Sequence, residues 1–376
     1  MKRILAAFLC ACLLVLPAAA VIGAPETEAG SAVLMEKETG TVLYEDHAHD
    51  KLEPASVTKV MTLLLVIEAI DSGRLKLDDM VTVSARAASM GGSQVYLKEG
   101  EQMTVDDMLK AVAVVSGNDA AVALAEHLAG SESAFVERMN QRAHELGMED
   151  TNFLNCTGLP AAGHLTSAYD IALMSRALIG HAKIREYTTI WMDSIRNGEF
   201  GLTNTNRLIR FYPGATGLKT GSTDAALYCM SATAERDGME LIAVVMKAPT
   251  TNQRFEDAKA LLDYGFANYA LTTVYPDAPL APVEVILGAQ AQVQPALQRE
   301  CRLLVGKGEA GQISTRLTLA ENVEAPVDEG QILGQLEVYV GDELRDTVPI
   351  LATQGVDRLS VPGIFSRLLE RLLMGS

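Results

Sequence analysis

The stretch Pro54-Ala55-Ser56-Val57-Thr58-Lys59-Val60-Met61-Thr62 constrains the fold more than any other. Ser56 and Lys59 are three apart, a spacing that puts both side chains on one helix face. The run that follows, Thr62-Leu63-Leu64-Leu65-Val66-Ile67-Glu68-Ala69-Ile70, is apolar on nearly every side. Such a helix is buried at a domain centre. Glu68 and Asp71 break the apolar run before it could span a bilayer. A serine hydroxyl needs a base to become a nucleophile, and a lysine partly stripped of water has a lowered pKa and can be that base. Backbone N–H groups at the helix start can stabilise negative charge developing beside Ser56. Ser-x-x-Lys is a weak signal alone, and it occurs once in this chain.

Residues 1–24 read as a signal peptide outside the fold. Lys2-Arg3 is followed by the apolar run Ile4 to Leu16 and by Pro17-Ala18-Ala19-Ala20, with cleavage expected after Ala20 or Ala24. A retained membrane helix is the competing reading, disfavoured by Pro17 and by the acidic Glu26-Thr27-Glu28. Cys156, Cys229 and Cys301 would remain after cleavage. An odd, widely spaced set permits at most one bridge and is no disulfide framework. The formal net charge of −17 argues against nucleic acid as a partner.

Along the chain, 32–36 and 41–44 read as strands around Glu38-Thr39-Gly40. Residues 85–99 look loop-like, with Gly91-Gly92-Ser93. Helices are expected over 105–115 and 119–128, so Ser116-Gly117-Asn118 lies in a tight connection between them. All three are turn formers, and a plain turn explains them equally well. Further helices are expected over 132–146 and 166–178, with a structured loop between them at Phe153–Pro160. Lys219-Thr220-Gly221 opens a strand that returns through Arg236-Asp237-Gly238, a strong hairpin signal. A phosphate loop is excluded there because Leu218, not Gly, precedes Lys219. Arg254 opens a last helix.

The character changes after Asn268. Pro276, Pro279 and Pro282 suggest a linker, and strand-like runs at 283–286, 302–305, 312–319, 333–340 and 347–352 suggest a small all-β domain. The expected divisions are a catalytic domain over 25–270, a β-sandwich-like domain over 276–355 and a terminal helix over 356–376. In that helix Ile364, Phe365, Leu368, Leu369, Leu372 and Leu373 make one apolar face, which predicts reversible attachment to a membrane surface. A helix docked on its own domain or in a dimer is the alternative.

Three motifs thus stand in order: Ser56-x-x-Lys59, Ser116-Gly117-Asn118 and Lys219-Thr220-Gly221. Together with Gly91–Ser93, Asn155-x-x-Gly158-Leu159-Pro160, Asn204-Thr205-Asn206 and Tyr212–Gly221, they resemble the serine-type D-alanyl-D-alanine carboxypeptidases. These are low-molecular-mass penicillin-binding proteins with an added β-domain. The resemblance implies an α+β fold of the serine β-lactamase/transpeptidase type, an antiparallel sheet flanked by helices. It implies a peptidoglycan stem peptide ending in D-Ala-D-Ala as substrate, β-lactams as covalent inhibitors, and no cofactor or metal. By the same resemblance Ser56 is the nucleophile, Lys59 its base and Ser116 the proton relay. Asn118, Lys219, Thr220, Gly221, Ser222 and Arg254 bind substrate, and the N–H groups of Ser56 and Ser222 form the oxyanion hole. The protein would be exported and held at the outer face of the cytoplasmic membrane. Thr216 stands where the family often has Asp, which bears on loop rigidity.

Rivals are weaker. A β-lactamase of the type with the nearest motifs uses a Glu in Glu-x-x-Leu-Asn, and Thr151 occupies that place here. A non-enzymatic penicillin-binding sensor would be acylated without turnover. His47 and His49 are close but belong to no His-Glu-x-x-His, and no Gly-x-Ser-x-Gly is present.

Overall fold

The computed structural model describes residues 23–365 and Leu373. The signal-peptide reading and most of the terminal-helix reading fall outside these residues.

A five-stranded antiparallel sheet carries the catalytic unit. Its strands are β1 (Ser31–Glu36), β2 (Val42–Asp46), β3 (Ala215–Thr223), β4 (Leu227–Arg236) and β5 (Met239–Ala248), in the order β2-β1-β5-β4-β3. Strand alternation sends successive side chains to opposite faces. Val33 and Met35 join a large core with the helices on one face, while Ala32 and Leu34 join a second core on the other. The first face is covered by α1 (Lys59–Asp71), α2 (Val105–Val115), α3 (Asn118–Ala129), α4 (Glu132–Glu145) and α5 (Ala168–Ile179). The second is covered by α6 (Thr251–Asn268), through Phe255, Leu261, Leu262 and Phe266.

Helix starts follow local chemistry. Thr104, Ser131, Ser167 and Thr250 cap α2, α4, α5 and α6, each side chain accepting from an N–H three residues on. Helix α1 has no side-chain cap. It continues a 3-10 turn over Ala55–Thr58 and is buried almost all round, so packing rather than capping holds it. The stretch 85–99, expected as loop, contains a short helix at Ala85–Ala88, capped by the Ser84 hydroxyl.

Strands make up most of the C-terminal unit. It begins with β6 (Tyr269–Val274), immediately after α6, and β6 pairs with Cys301–Gly306. Pro276, Pro279 and Pro282, expected as a linker, therefore lie between two strands of this unit. The helix flows into the strand without a Gly or Pro break, at the residue where the character of the sequence changes. A four-stranded sheet pairs Pro295–Leu297, Glu343–Ala352, Ile332–Val340 and Ile313–Leu319 in that order. Two small cores lie within the unit, one around Leu336, Val338 and Val348, the other around Val283, Val285 and Val356. At the junction Arg302 Nη2 donates to Gly238 O (2.8 Å) and Lys307 Nζ to Phe266 O (2.7 Å). A last helical stretch covers 361–365, and Phe365 is 67% exposed. No helix among the described residues is long and apolar enough to cross a membrane.

Candidate active site

Ser56 lies on the 3-10 turn, half-buried, and Lys59 is the first residue of α1. Three-residue spacing suits a 3-10 turn as well as an α-turn, because side chains at i and i+3 eclipse there. Ala55 takes a left-handed φ of 48°, a strained conformation for a residue with a Cβ, as found at functional turns. Lys59 Nζ stands 2.9 Å from Ser56 Oγ and donates to Thr157 O at 2.8 Å. Burial lowers the Lys59 pKa to about 7, against a small upward pull from Cys156 and Asp119. A lysine so placed is substantially neutral near pH 7, so its lone pair can take the Ser56 proton.

Ser116 ends α2 in the left-handed region (φ 66°, ψ 30°), and Asn118 opens α3. Ser116 Oγ and Asn118 Oδ1 are buried and have no hydrogen-bond partner among the described residues. Buried polar atoms are nearly always satisfied, so two orphans two residues apart in one connection mark a place that a ligand can complete. Asn118 is otherwise fixed: its Nδ2 donates to Gly91 O (2.7 Å) and its backbone N–H to Ser93 O (2.7 Å).

Sequence reasoning missed Asp119. Its buried carboxylate accepts from the N–H groups of Val95 (3.0 Å) and Leu97 (3.0 Å), pinning the loop that meets Asn118. A single Asp after Ser-Gly-Asn has no pattern to betray this. Thr205 was quoted only for its motif. Its hydroxyl accepts from Thr220 Oγ1 at 2.7 Å, which adds a second hydroxyl beside the Lys219 motif.

Strand β3 brings Lys219, Thr220, Gly221 and Ser222 alongside Ser56. A Cβ on Gly221 would sit 2.7 Å from Ser56 N and 2.9 Å from Val57 N. Glycine is thus what lets β3 lie against the Ser56 turn, and Ser222 follows it on an exposed step. Lys219 is buried, with Nζ donating to Thr220 O at 2.8 Å. Burial pushes its pKa well down, and the charges of Lys59 and Arg254 add to this. Arg254, on α6, donates through Nη1 to Gly221 O (3.1 Å) and Cys229 O (3.3 Å), bracing β3 and β4. Its Nε is buried without a partner among the described residues. Burial lowers its pKa to about 10. None of Lys59, Lys219 and Arg254 pairs with a carboxylate among the described residues. In a chain of net charge −17, Arg254 and Lys219 offer a carboxylate ligand partners that no side chain of the site already neutralises.

The Asn155–Pro160 loop closes the site from below. Asn155 Oδ1 accepts from Thr157 N (3.1 Å) and Gly158 N (2.7 Å), and a Cβ at Gly158 would overlap Ala55 O. Thr216 Oγ1 donates to Thr233 Oγ1 (2.8 Å) or Glu240 Oε1 (2.9 Å), which anchors the approach to β3. Cys156, Cys229 and Cys301 are free and buried. The His49 ring lies 3.0 Å from the Asp150 carboxylate.

Residues 18–250 match the family described as D-alanyl-D-alanine carboxypeptidase, and residues 269–358 match that described as penicillin-binding protein 5, C-terminal domain. The chain is 42% identical over 336 residues to the D-alanyl-D-alanine carboxypeptidase DacF of Bacillus subtilis, covering 88% of this chain and 86% of that one. Among solved structures, penicillin-binding protein 5 of Haemophilus influenzae superposes with a TM-score of 0.76 at 29% identity, over 90% of this chain and all of that one (100%). Penicillin-binding protein D2 of Listeria monocytogenes, in an ampicillin-bound form, superposes with a TM-score of 0.59 at 34% identity, over 64% of this chain and 100% of that one.

Proposed function

The chain belongs to the D-alanyl-D-alanine carboxypeptidase family, penicillin-binding serine hydrolases of the cell wall, and from that premise we propose the role of each site residue. The observation that carries the proposal is the Lys59 amine, buried, with a pKa near 7, and 2.9 Å from Ser56 Oγ. Neutral Lys59 takes the hydroxyl proton as Ser56 Oγ attacks the carbonyl between the two terminal D-alanines. The N–H groups of Ser56 and Ser222 hold the oxyanion. Lys219, Thr220 and Thr205 bind the substrate carboxylate, and Arg254 holds the strand that carries them. Asn118 Oδ1 accepts the substrate's amide N–H. Ser116 Oγ passes a proton from the lysine pair to the departing amine, so the C–N bond breaks and free D-Ala leaves. Water then cleaves the Ser56 ester. Penicillin presents a similar carboxylate and amide, acylates Ser56, and its retained ring fragment blocks that water.

Fluorescent penicillin tests the assignment. It should label the wild-type protein covalently and leave Ser56→Ala unlabelled; a label that survives this substitution would place the nucleophile elsewhere. Amidating the terminal D-Ala should remove most turnover, because charge-assisted hydrogen bonds to the carboxylate are lost. Equal cleavage of free and amidated peptides would overturn the substrate assignment.

The 356–376 segment, on this reading, attaches the enzyme to the membrane surface, with the catalytic unit facing the cell wall. Phe365 and Leu373, both on the expected apolar face, are 67% and 78% exposed. Truncation before Ser360 should abolish sedimentation with lipid vesicles and leave small-peptide turnover intact. A full-length protein that stays in the supernatant would exclude attachment through this segment.

A further inference from the structure

Thr216 interrupts the pairing of β3 with β4. Ala215 faces Ala234 and Gly217 faces Thr233, so Thr216 between them has no partner in the ladder. An extra residue of this kind is a β-bulge, and bulges next to active sites re-aim the side chains that follow. Lys219 stands three residues on. Side chains from several segments grip the bulge. The Thr216 hydroxyl lies 2.8 Å from Thr233 Oγ1 and 2.9 Å from Glu240 Oε1, and the carboxylate is the stronger acceptor. The Thr216 carbonyl accepts from Thr188 Oγ1 at 2.7 Å. The next carbonyl, that of Gly217, accepts from Asn206 Nδ2 at 2.8 Å.

Glu240 joins these contacts. It lies on β5, two strands from β3, and is only 4% exposed. Its Oε2 accepts from Arg185 Nη2 at 2.6 Å and stands 3.2 Å from Lys37 Nζ. Arg185 and Thr188 are the two ends of a one-turn helix, Arg185–Thr188. A closed ring results. It runs from the Thr216 hydroxyl to Glu240, from Glu240 to Arg185, along the helical turn to Thr188, and from the Thr188 hydroxyl back to the Thr216 carbonyl. Opening the ring at Glu240 loosens the bulge at its hydroxyl directly and at its carbonyl through Arg185. We propose that Glu240 is a positioning residue: by holding the bulge at Thr216, it fixes where β3 presents Lys219 and Thr220 to the substrate carboxylate. The inference rests on the carboxypeptidase reading above. Ser56 and Lys59 belong to the 3-10 turn and α1, outside the ring, so losing Glu240 impairs recognition of the carboxylate more than the attack itself.

The test compares cleavage of diacetyl-Lys-D-Ala-D-Ala as the free acid and as its C-terminal amide, with rates divided by penicillin-titratable sites. For each protein the ratio of kcat/KM, free acid over amide, measures how well the carboxylate is read. A variant that only unfolds more easily loses titratable sites and keeps the wild-type ratio. Glu240→Gln should lower the ratio by ~10-fold, the scale of one charge-assisted hydrogen bond. Thr216→Asp in the wild type sets two carboxylates side by side and should lower it as well. In Glu240→Gln the same substitution gives the new amide a carboxylate to donate to, so it should raise the ratio back toward the wild type; this reversal of sign is the mark of direct coupling. Thr216→Val removes only the hydroxyl and should lower the ratio by a smaller factor, which keeps the test open should Glu240→Gln yield no titratable sites. An unchanged ratio in Glu240→Gln or in Thr216→Val, or Thr216→Asp lowering the ratio alike in both backgrounds, would overturn the proposal and leave the carboxypeptidase reading in place. A wild-type ratio near one, in a protein that titrates with penicillin, would remove that reading and the proposal with it.

Discussion

Lys59 and Lys219 lie 0% and 1% exposed in the catalytic unit with no carboxylate partner among the described residues. In the C-terminal unit the arginines behave differently. Arg299, Arg316 and Arg358 are 50%, 70% and 55% exposed, and each pairs with Asp346, Glu337 or Glu324. That unit hides only apolar and small side chains in its two cores. Burying an unpaired ammonium is unfavourable to folding, and the usual outcome is that the group gives up its proton. The catalytic unit holds two such amines in one site: a neutral Lys59 is what the proposed proton transfer uses, and a carboxylate ligand would supply Lys219 with the counter-charge it lacks, whereas the C-terminal unit keeps its charges in water.

Replacing Lys59 by Met probes this contrast most strongly. Acylation by penicillin should fall by ~10²–10⁴-fold, the scale of losing a general base. Thermal unfolding should move to higher temperature, because an apolar side chain of similar length fits a buried site better than an ammonium. A Lys59→Met protein that melts below the wild type would show that the lysine contributes to stability after all.

In the C-terminal unit the sensitive group is apolar. Leu336 is fully buried in the core shared with Val338 and Val348, and Leu336→Ala should destabilise the unit by ~2–5 kcal/mol. Urea unfolding followed beside small-peptide turnover would check this; a parallel loss of turnover would mean that the units do not act separately.

The pH dependence gives a smaller signal with a definite sign. Folding lowers the Lys59 pKa from 10.5 to about 7, chiefly by desolvation. Between those values the unfolded chain holds a proton that the folded protein has released, so stability rises with pH, by up to ~1.4 kcal/mol per unit. Below about 7 the penalty of the buried charge is fully present. Acylation should rise through the same midpoint as the amine becomes neutral. Unfolding of wild type and Lys59→Met across this window should converge as pH rises; a constant difference would separate Lys59 from the pH dependence. The smallest effect expected is for Arg358→Ala. Its pair with Glu324 is 2.7 Å long but more than half exposed on both sides, and its loss should change stability by less than ~1 kcal/mol.

The catalytic half was the more legible in the sequence. Ser56, Lys59, Ser116, Asn118 and Lys219 stand in short motifs, and short spacings on helices and turns translate directly into geometry. Strands β4 and β5 were legible from Asp237-Gly238 between apolar runs. Asp119 and Thr205 were not singled out, because their meaning depends on partners far along the chain, Val95 and Thr220. Pro276, Pro279 and Pro282 read as a linker because proline marks breaks, and in the structure they stand in the connection between two strands.

The strand order also bears on how the protein is made. Strand β1 pairs along its whole length with β5, so Ser31 meets Met246 and Glu36 meets Leu241. More than half of the chain must be synthesised before the central sheet can close. Contacts of such long range are slow to form, and they leave apolar helices such as α1 waiting without their partner face. Ser56 is therefore among the early residues to be made and among the late ones to be set in place. A nascent chain interrupted before β5 would carry Ser56, Lys59 and Ser116 and have no site, only an exposed apolar helix prone to aggregation.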